Sequence, residues 1–275
     1  MKTAFRRTLL CAALALAASP VFAQSQSDTP ESPFSQTVFF GDSLTDGGFF
    51  RPLLGPNGAV IGQFTTNPGY VWSQYMADYF HSNANVAWKA TGATPTMSTG
   101  NNWAVGGARV STNVVGGLGY TPSLTSQYAA YLASGHTVDK NALYTVWGGA
   151  NDIFAAIGAY QTAYTNVLLG GGNATQAQAA GQAAAQPIVG AAVTGQIGLI
   201  GALHTAGAQY VLVPTLPDMG LTPDAAAGGA AGKALASGLS GSYNSALFGG
   251  LATAHLNVIP VDTYHFLQEV VANPA

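Results

Sequence analysis

The sequence predicts an α/β fold in which a parallel sheet is covered by helices on both faces. Two observations carry the prediction. Four short apolar runs are continuous rather than alternating, as strands buried on both sides are, and longer helical segments separate them in the order that a parallel sheet needs. The composition agrees, because 48% of the 275 residues are hydrophobic and only 7% are charged, against about 25% charged in an average soluble domain. Such a chain has to fold around a large core.

Along the chain, Lys2, Arg6 and Arg7 come first, followed by an uncharged stretch over 8–18 and then Val21-Phe22-Ala23. A basic start, a short apolar run and small residues at the first and third places of a cleavage site make an export signal. Residues 1–23 are therefore expected to be removed, and the protein is expected to be exported. The apolar run is shorter than the roughly 20 residues that a membrane-spanning helix needs. It also holds Cys11, the one cysteine, so the mature chain can form neither a disulfide framework nor a cysteine metal site. A polar, proline-containing leader over 24–35 then leads into a single expected domain over 36–275.

Within that domain the strand-like runs are Thr37-Val38-Phe39-Phe40, Leu143-Tyr144-Thr145-Val146-Trp147, Tyr210-Val211-Leu212-Val213 and Val258-Ile259-Pro260-Val261. β-Branched and aromatic residues dominate them. Helices are expected over 71–80, 123–132, 152–164, 175–203 and 225–254. The segment 187–203 is apolar enough to suggest a bilayer, but Gln182, Gln186, Gln196 and several glycines make it a poor span. It reads instead as a helix packed closely on the sheet. The eight Lys and Arg against eleven Asp and Glu leave a net charge of -3 with no basic cluster to neutralise phosphates, so nucleic acid is not an expected partner.

Three strand ends carry residues with chemical potential. In Gly41-Asp42-Ser43-Leu44-Thr45-Asp46 a serine follows a glycine turn at the carboxyl edge of the sheet, where open α/β folds bind ligands. Ser43 suits either a nucleophile or the N-cap of a following helix, and the G-x-S-x-G pattern is absent because Thr45 stands at its last position. In Gly148-Gly149-Ala150-Asn151-Asp152 the Asn151 amide can aim N–H donors at a developing oxyanion, whereas Asp152 reads as a helix cap. In Asp262-Thr263-Tyr264-His265 the three-residue spacing puts carboxylate and imidazole on one side of a helix or turn, so that Asp262 can orient His265. A nucleophile, an oxyanion donor, a base and its orienter at one rim are more than unrelated turns supply.

With these blocks in this order across nearly the whole mature chain, the sequence resembles the GDSL, or SGNH, ester hydrolases. A further block of that family looks like Asn101-Asn102-Trp103-Ala104-Val105-Gly106-Gly107-Ala108. The resemblance implies a flavodoxin-like three-layer α/β/α sandwich, a Ser43–His265–Asp262 triad, and an oxyanion hole from Ser43, Gly107 and Asn151. The adjacent Gly106 leaves that register open by one residue. The likeness is greatest to exported bacterial esterases fused to an outer-membrane translocator barrel, for which no alternating strands are expected among these residues. The implied reaction is acyl transfer from an ester through an acyl-enzyme, by a monomer with neither metal nor organic cofactor.

The substrate class stays open at this level. Phe49-Phe50-Arg51-Pro52-Leu53-Leu54 either holds an acyl chain at the rim or belongs to the core. Short-chain esters, lipids and lysophospholipids all fit, as does acyl transfer to an alcohol. A non-catalytic binding module on the same fold would be expected to lack a triad member, and none is missing here. A flavin site is disfavoured, because Asp42 stands where the phosphate would sit.

Overall fold

The computed structural model describes residues 32–58, 62–65, 69–92 and 94–273. The expected export signal and the leader up to residue 31 lie outside the described residues. Just inside them, Phe34 packs edge-on against both Phe80 and Tyr210.

Four parallel strands form the central sheet in the order β1 (Thr37–Gly41), β6 (Leu143–Trp147), β7 (Tyr210–Pro214), β8 (Ile259–Val261). All four agree with the predicted runs to within a residue or two. The far side of β1 is covered by 101–105, which runs parallel to it: the Phe39 N–H donates to Asn101 O, Trp103 N–H to Phe39 O and Val105 N–H to Gly41 O. The chain thus leaves β1 towards one side and returns on the other, through β6. That reversal opens a crevice at the carboxyl ends of β1 and β6.

Alternation along β1 sends its side chains to two covered faces. Phe40 packs on Tyr128 and Tyr131 of α2 (Leu124–Ala133), in one cluster with Val38, Val146 and Val213. Phe39 points the other way, against Trp72 of α1 (Trp72–Tyr79). This makes an α/β/α sandwich.

The helices start where their caps say they should. Ser123 accepts the Ser126 N–H to begin α2, and Asn173 exchanges bonds with Gln176 to begin α4 (Ala174–Thr205). Among the described residues α4 alone is long and apolar enough to cross a membrane. One stripe of it, with Val189, Gln196, Leu199 and Leu203, is nevertheless buried.

Two expectations need correction. The helix expected over 152–164 is α3 (Ala150–Leu169), because Gly149, at φ 110°, turns the chain into the helix earlier than Asp152 could. The single helix expected over 225–254 is split at Gly228 into α5 (Pro223–Ala227) and α6 (Gly229–Thr253). Two small antiparallel hairpins, β2 (Trp88–Lys89) with β3 (Thr96–Met97) and β4 (Val114–Gly116) with β5 (Gly119–Thr121), were not foreseen. The last helix, α7 (Thr263–Ala272), follows β8 directly and has no buried residue.

Candidate active site

Ser43 stands on a turn that is fixed from several directions. Gly41 ends β1, and a Cβ there would come within 2.8 Å of both Thr45 Oγ1 and Trp147 O, so only glycine fits. Its N–H donates to Gln127 Oε1 at 2.9 Å, and Gln127 Nε2 donates back to its carbonyl at 2.8 Å. The Asp42 carbonyl accepts the Thr45 and Asp46 N–H groups, while the Asp42 carboxylate accepts the Leu44 N–H at 3.1 Å. Ser43 itself is half-buried, and no helix follows it, so it is not an N-cap. Burial pushes the Asp42 carboxyl up to about 7, and the nearby Asp152 charge adds to that rise.

Asp46 ties this turn to the 101–108 block. Its Oδ1 accepts the Gly48 and Phe49 N–H groups, and its Oδ2 accepts the Gly106 N–H, each at 2.7 Å. Burial raises Asp46 to about 6 even against those three donors. Gly106 lies beside the serine, since a Cβ on it would be 3.9 Å from Ser43 Cβ. Gly107 is exposed at φ 79°, and its N–H, like that of Ser43, has no hydrogen-bond partner among the described residues. The pair expected to be ambiguous in register is therefore distinguished by one bond.

Asn151 enters the same rim from the first turn of α3. One N–H of its amide goes to Ala108 O at 3.0 Å. The neighbouring Asp152 is not the cap that its sequence position suggested: Gly149 holds the cap position, and the Asp152 carboxylate instead accepts Arg109 Nε and the Val110 N–H, both at 2.9 Å. Beneath this turn a Cβ on Gly149 would lie 2.5 Å from Tyr243 Cζ. The Tyr243 hydroxyl donates to Gln196 Oε1, and Gln196 Nε2 donates to Val146 O.

Asp262 is both the N-cap of α7 and the partner of His265. Its Oδ1 accepts the His265 N–H at 3.0 Å, and its Oδ2 lies 2.6 Å from His265 Nδ1. Those contacts hold the Asp262 carboxyl below the usual carboxylate range. Both side chains are open to solvent, at 57% and 68% exposure. Thr215 anchors the turn: its N–H donates to Val261 O, its Oγ1 accepts the Tyr264 N–H, and its carbonyl accepts Thr263 Oγ1 and Trp147 Nε1. Farther along α7, Gln268 Nε2 donates to the buried Asp218 at 2.8 Å.

Ser43, Asn151 and Asp262 line one cavity of about 850 Å³, which continues between α1 and α7 over largely apolar side chains. No hydrogen bond joins Ser43 to His265 among the described residues. The 49–54 segment does not reach the cavity: Phe49 and Phe50 are core residues, packed on each other and, through Phe49, on Trp88. Sequence reasoning missed Gln127, Gln196, Thr215, Asp218 and Tyr243. A usable signal existed for Gln127, which takes an apolar place in the buried stripe Leu124, Gln127, Tyr131.

The family profile described as GDSL-like Lipase/Acylhydrolase matches residues 37–271, nearly the whole described chain. The chain belongs to this GDSL family. Relatives include Esterase EstA of Pseudomonas aeruginosa and Esterase EstA of Pseudomonas putida, each 31% identical over 270 residues. Each of these alignments covers 89% of this chain and 38% of the relative. Lipase 1 of Photorhabdus luminescens is 28% identical over 192 residues, covering 69% of this chain and 23% of the relative. This GDSL chain therefore spans well under half the length of these relatives.

Proposed function

We propose that this chain hydrolyses carboxylic esters through a covalent acyl-enzyme on Ser43. The observation that carries the reading is the meeting of Ser43, Asn151 and the His265-bound Asp262 at one apolar cavity on the carboxyl edge of the sheet. Relatives named as esterases and a lipase support it.

In the first step Ser43 Oγ attacks the ester carbonyl carbon, and its proton passes to His265 Nε2. Asp262, bound at Nδ1, fixes the tautomer and stabilises the imidazolium. The negative charge on the carbonyl oxygen is met by the free N–H groups of Ser43 and Gly107 and by the remaining Asn151 N–H. Gly106 cannot serve in this role, because Asp46 holds its N–H. The carbon–oxygen bond then breaks, and the alcohol leaves with the proton from His265. Water attacks the acyl-serine, His265 takes its proton, and Ser43 recovers a proton as the acid departs. Hydrogen bonds between nucleophile and base are often long without substrate, and α7, with no buried residue, is the element that has to bring His265 into register.

The test is hydrolysis of p-nitrophenyl butanoate by the chain from Gln24 onward, the start that the export reading implies. Ser43→Ala is assayed beside it, with folding matched by circular dichroism. A loss of at least about 10³-fold in kcat is expected. A folded variant with undiminished turnover would remove Ser43 from the reaction, and a folded, inactive parent chain would remove the hydrolase reading.

A further inference from the structure

Arg109 and Asp152 form a buried ion pair that the steps above leave unused. Arg109 Nε lies 2.9 Å from Asp152 Oδ1, and the Val110 N–H donates to Asp152 Oδ2 at the same distance. The two side chains are 21% and 2% exposed. Burial raises the Asp152 carboxyl, while the Val110 N–H and Arg109 draw it back. The nearby Asp42 carboxyl opposes the Asp152 charge, and Arg109 is the cation that meets it. Such a pair adds little net stability over apolar side chains of the same shape.

Its place in the fold suggests another use. Gly107 stands on the loop after 101–105 and Asn151 on the first turn of α3, and the chain between these two parts is long. Two adjacent residues of α3 grip three consecutive residues of the loop. Asn151 Nδ2 donates to Ala108 O at 3.0 Å across 43 residues, and Asp152 takes Arg109 and Val110. Ala108 follows Gly107 directly, so these bonds set the Gly107 N–H relative to the Asn151 amide. On its other side the loop is held to the nucleophile turn by Asp46, through the Gly106 N–H. The carbonyls of Arg109 and Val110 also accept the Leu124 and Thr125 N–H groups at the start of α2. Truncating the Arg109 side chain therefore leaves the loop tethered.

Resting on the hydrolase reading above, we propose that Arg109 and Asp152 are positioning residues, whose ion pair clamps the loop to α3 and fixes the spacing of the Gly107 and Asn151 oxyanion donors. Neither side chain lines the cavity, so neither is expected to touch substrate. Donors of this kind act through preorganisation, and a misplacement of about 1 Å can cost roughly 10²-fold in rate.

The experiment measures kcat and KM separately for p-nitrophenyl butanoate, well below each unfolding midpoint. The variants are Arg109→Met, Arg109→Lys and Asp152→Asn, with Arg109→Met also made in the Asn151→Ala background. Arg109→Met should lower kcat roughly 10- to 100-fold and change KM by less than about twofold. Arg109→Lys should recover most of that loss, because Nε makes one bond to Asp152 that an ammonium can replace. Asp152→Asn keeps an oxygen for the Val110 N–H and removes the charge, and should resemble Arg109→Met. Once Asn151 is alanine there is no spacing left to hold, so Arg109→Met should then cost less than about threefold. If Arg109→Met fails to fold, Asp152→Asn in the two backgrounds makes the same comparison. An unchanged kcat with a lowered unfolding midpoint, or a change confined to KM, would overturn the proposal. So would a lysine variant no better than methionine, or the full loss repeated in Asn151→Ala. None of these outcomes touches the hydrolase reading, which stands or falls on Ser43→Ala.

Discussion

Gly106 and Gly107 have the same side chain and neighbouring places, yet a single hydrogen bond separates what each can do. Asp46 consumes the Gly106 N–H at 2.7 Å, while the Gly107 N–H, at φ 79°, has no hydrogen-bond partner among the described residues. Asn151 is divided in the same way, because one of its two amide N–H groups is spent on Ala108 O at 3.0 Å. In the proposed reaction the spent donor fixes the amide plane and leaves the other to meet the developing oxyanion without reorganising, which is where such donors gain their effect. Asn151→Ala should therefore lower kcat by about 10²–10³-fold with little change in KM. The Ala108 carbonyl also loses its donor, so a modest loss of stability of about 1 kcal/mol should accompany it. Steady-state kinetics at a temperature well below unfolding separates the two effects. An effect confined to KM would make Asn151 a substrate-binding residue instead.

The element on which the proposed chemistry depends most has no buried residue. α7 is tied down by Thr215 at its start and by the Gln268–Asp218 bond of 2.8 Å along its length. Gln268→Ala removes the second tie without opening the core. It should speed amide exchange along α7 and lower kcat several-fold, since a hydrogen bond to a charged group contributes about 1.5–3 kcal/mol. Faster exchange with unchanged kcat would mean that the placement of α7 does not limit turnover. The elements themselves were legible to different degrees. β1, β6 and β7 could be read because buried parallel strands are written as unbroken apolar runs, whereas β8, read from the same pattern, pairs with β7 but is exposed at all three of its residues. The Asp262–His265 pair was visible because both residues lie on one turn. What holds these pieces was not visible, because its partners are remote in sequence: Gln127 clamps Gly41 across 86 residues, and Tyr243 reaches Gln196 across 47. The strand-like 101–105 segment escaped for a similar reason, since its sequence is polar at Asn101 and Asn102 and only its pairing with β1 makes it extended. Asp152 misled because aspartate before an apolar helix usually caps it, whereas here a left-handed glycine starts the helix and the carboxylate is free to bind Arg109.

For the molecule as a whole, the turn beneath the site concentrates acid where water is excluded. Asp42 and Asp46 are 2% and 5% exposed. Burial raises their carboxyls from the ordinary 3.8 to about 7 and about 6, and burial pushes Asp152 in the same direction despite Arg109. A carboxyl whose folded value lies above its unfolded value binds protons more tightly in the native state. Its stabilising contribution is complete below about pH 4 and is lost as pH rises through its folded value. These groups therefore act against the usual trend, in which lowered carboxyls such as Asp139 and Asp262 lose their contribution only in acid. Thermal stability should decline between pH 5 and pH 8, and Asp42→Asn should flatten that decline. The variant keeps an acceptor for the Leu44 N–H and removes the charge, so its midpoint should exceed that of the parent at pH 8, by about 2–4 °C for each kcal/mol gained. Calorimetric scans of both proteins across this range supply the measurement. A parent midpoint that rises steadily towards pH 8, with Asp42→Asn unfolding lower at every pH, would mean that the Asp42 carboxylate is held charged at no cost to the fold.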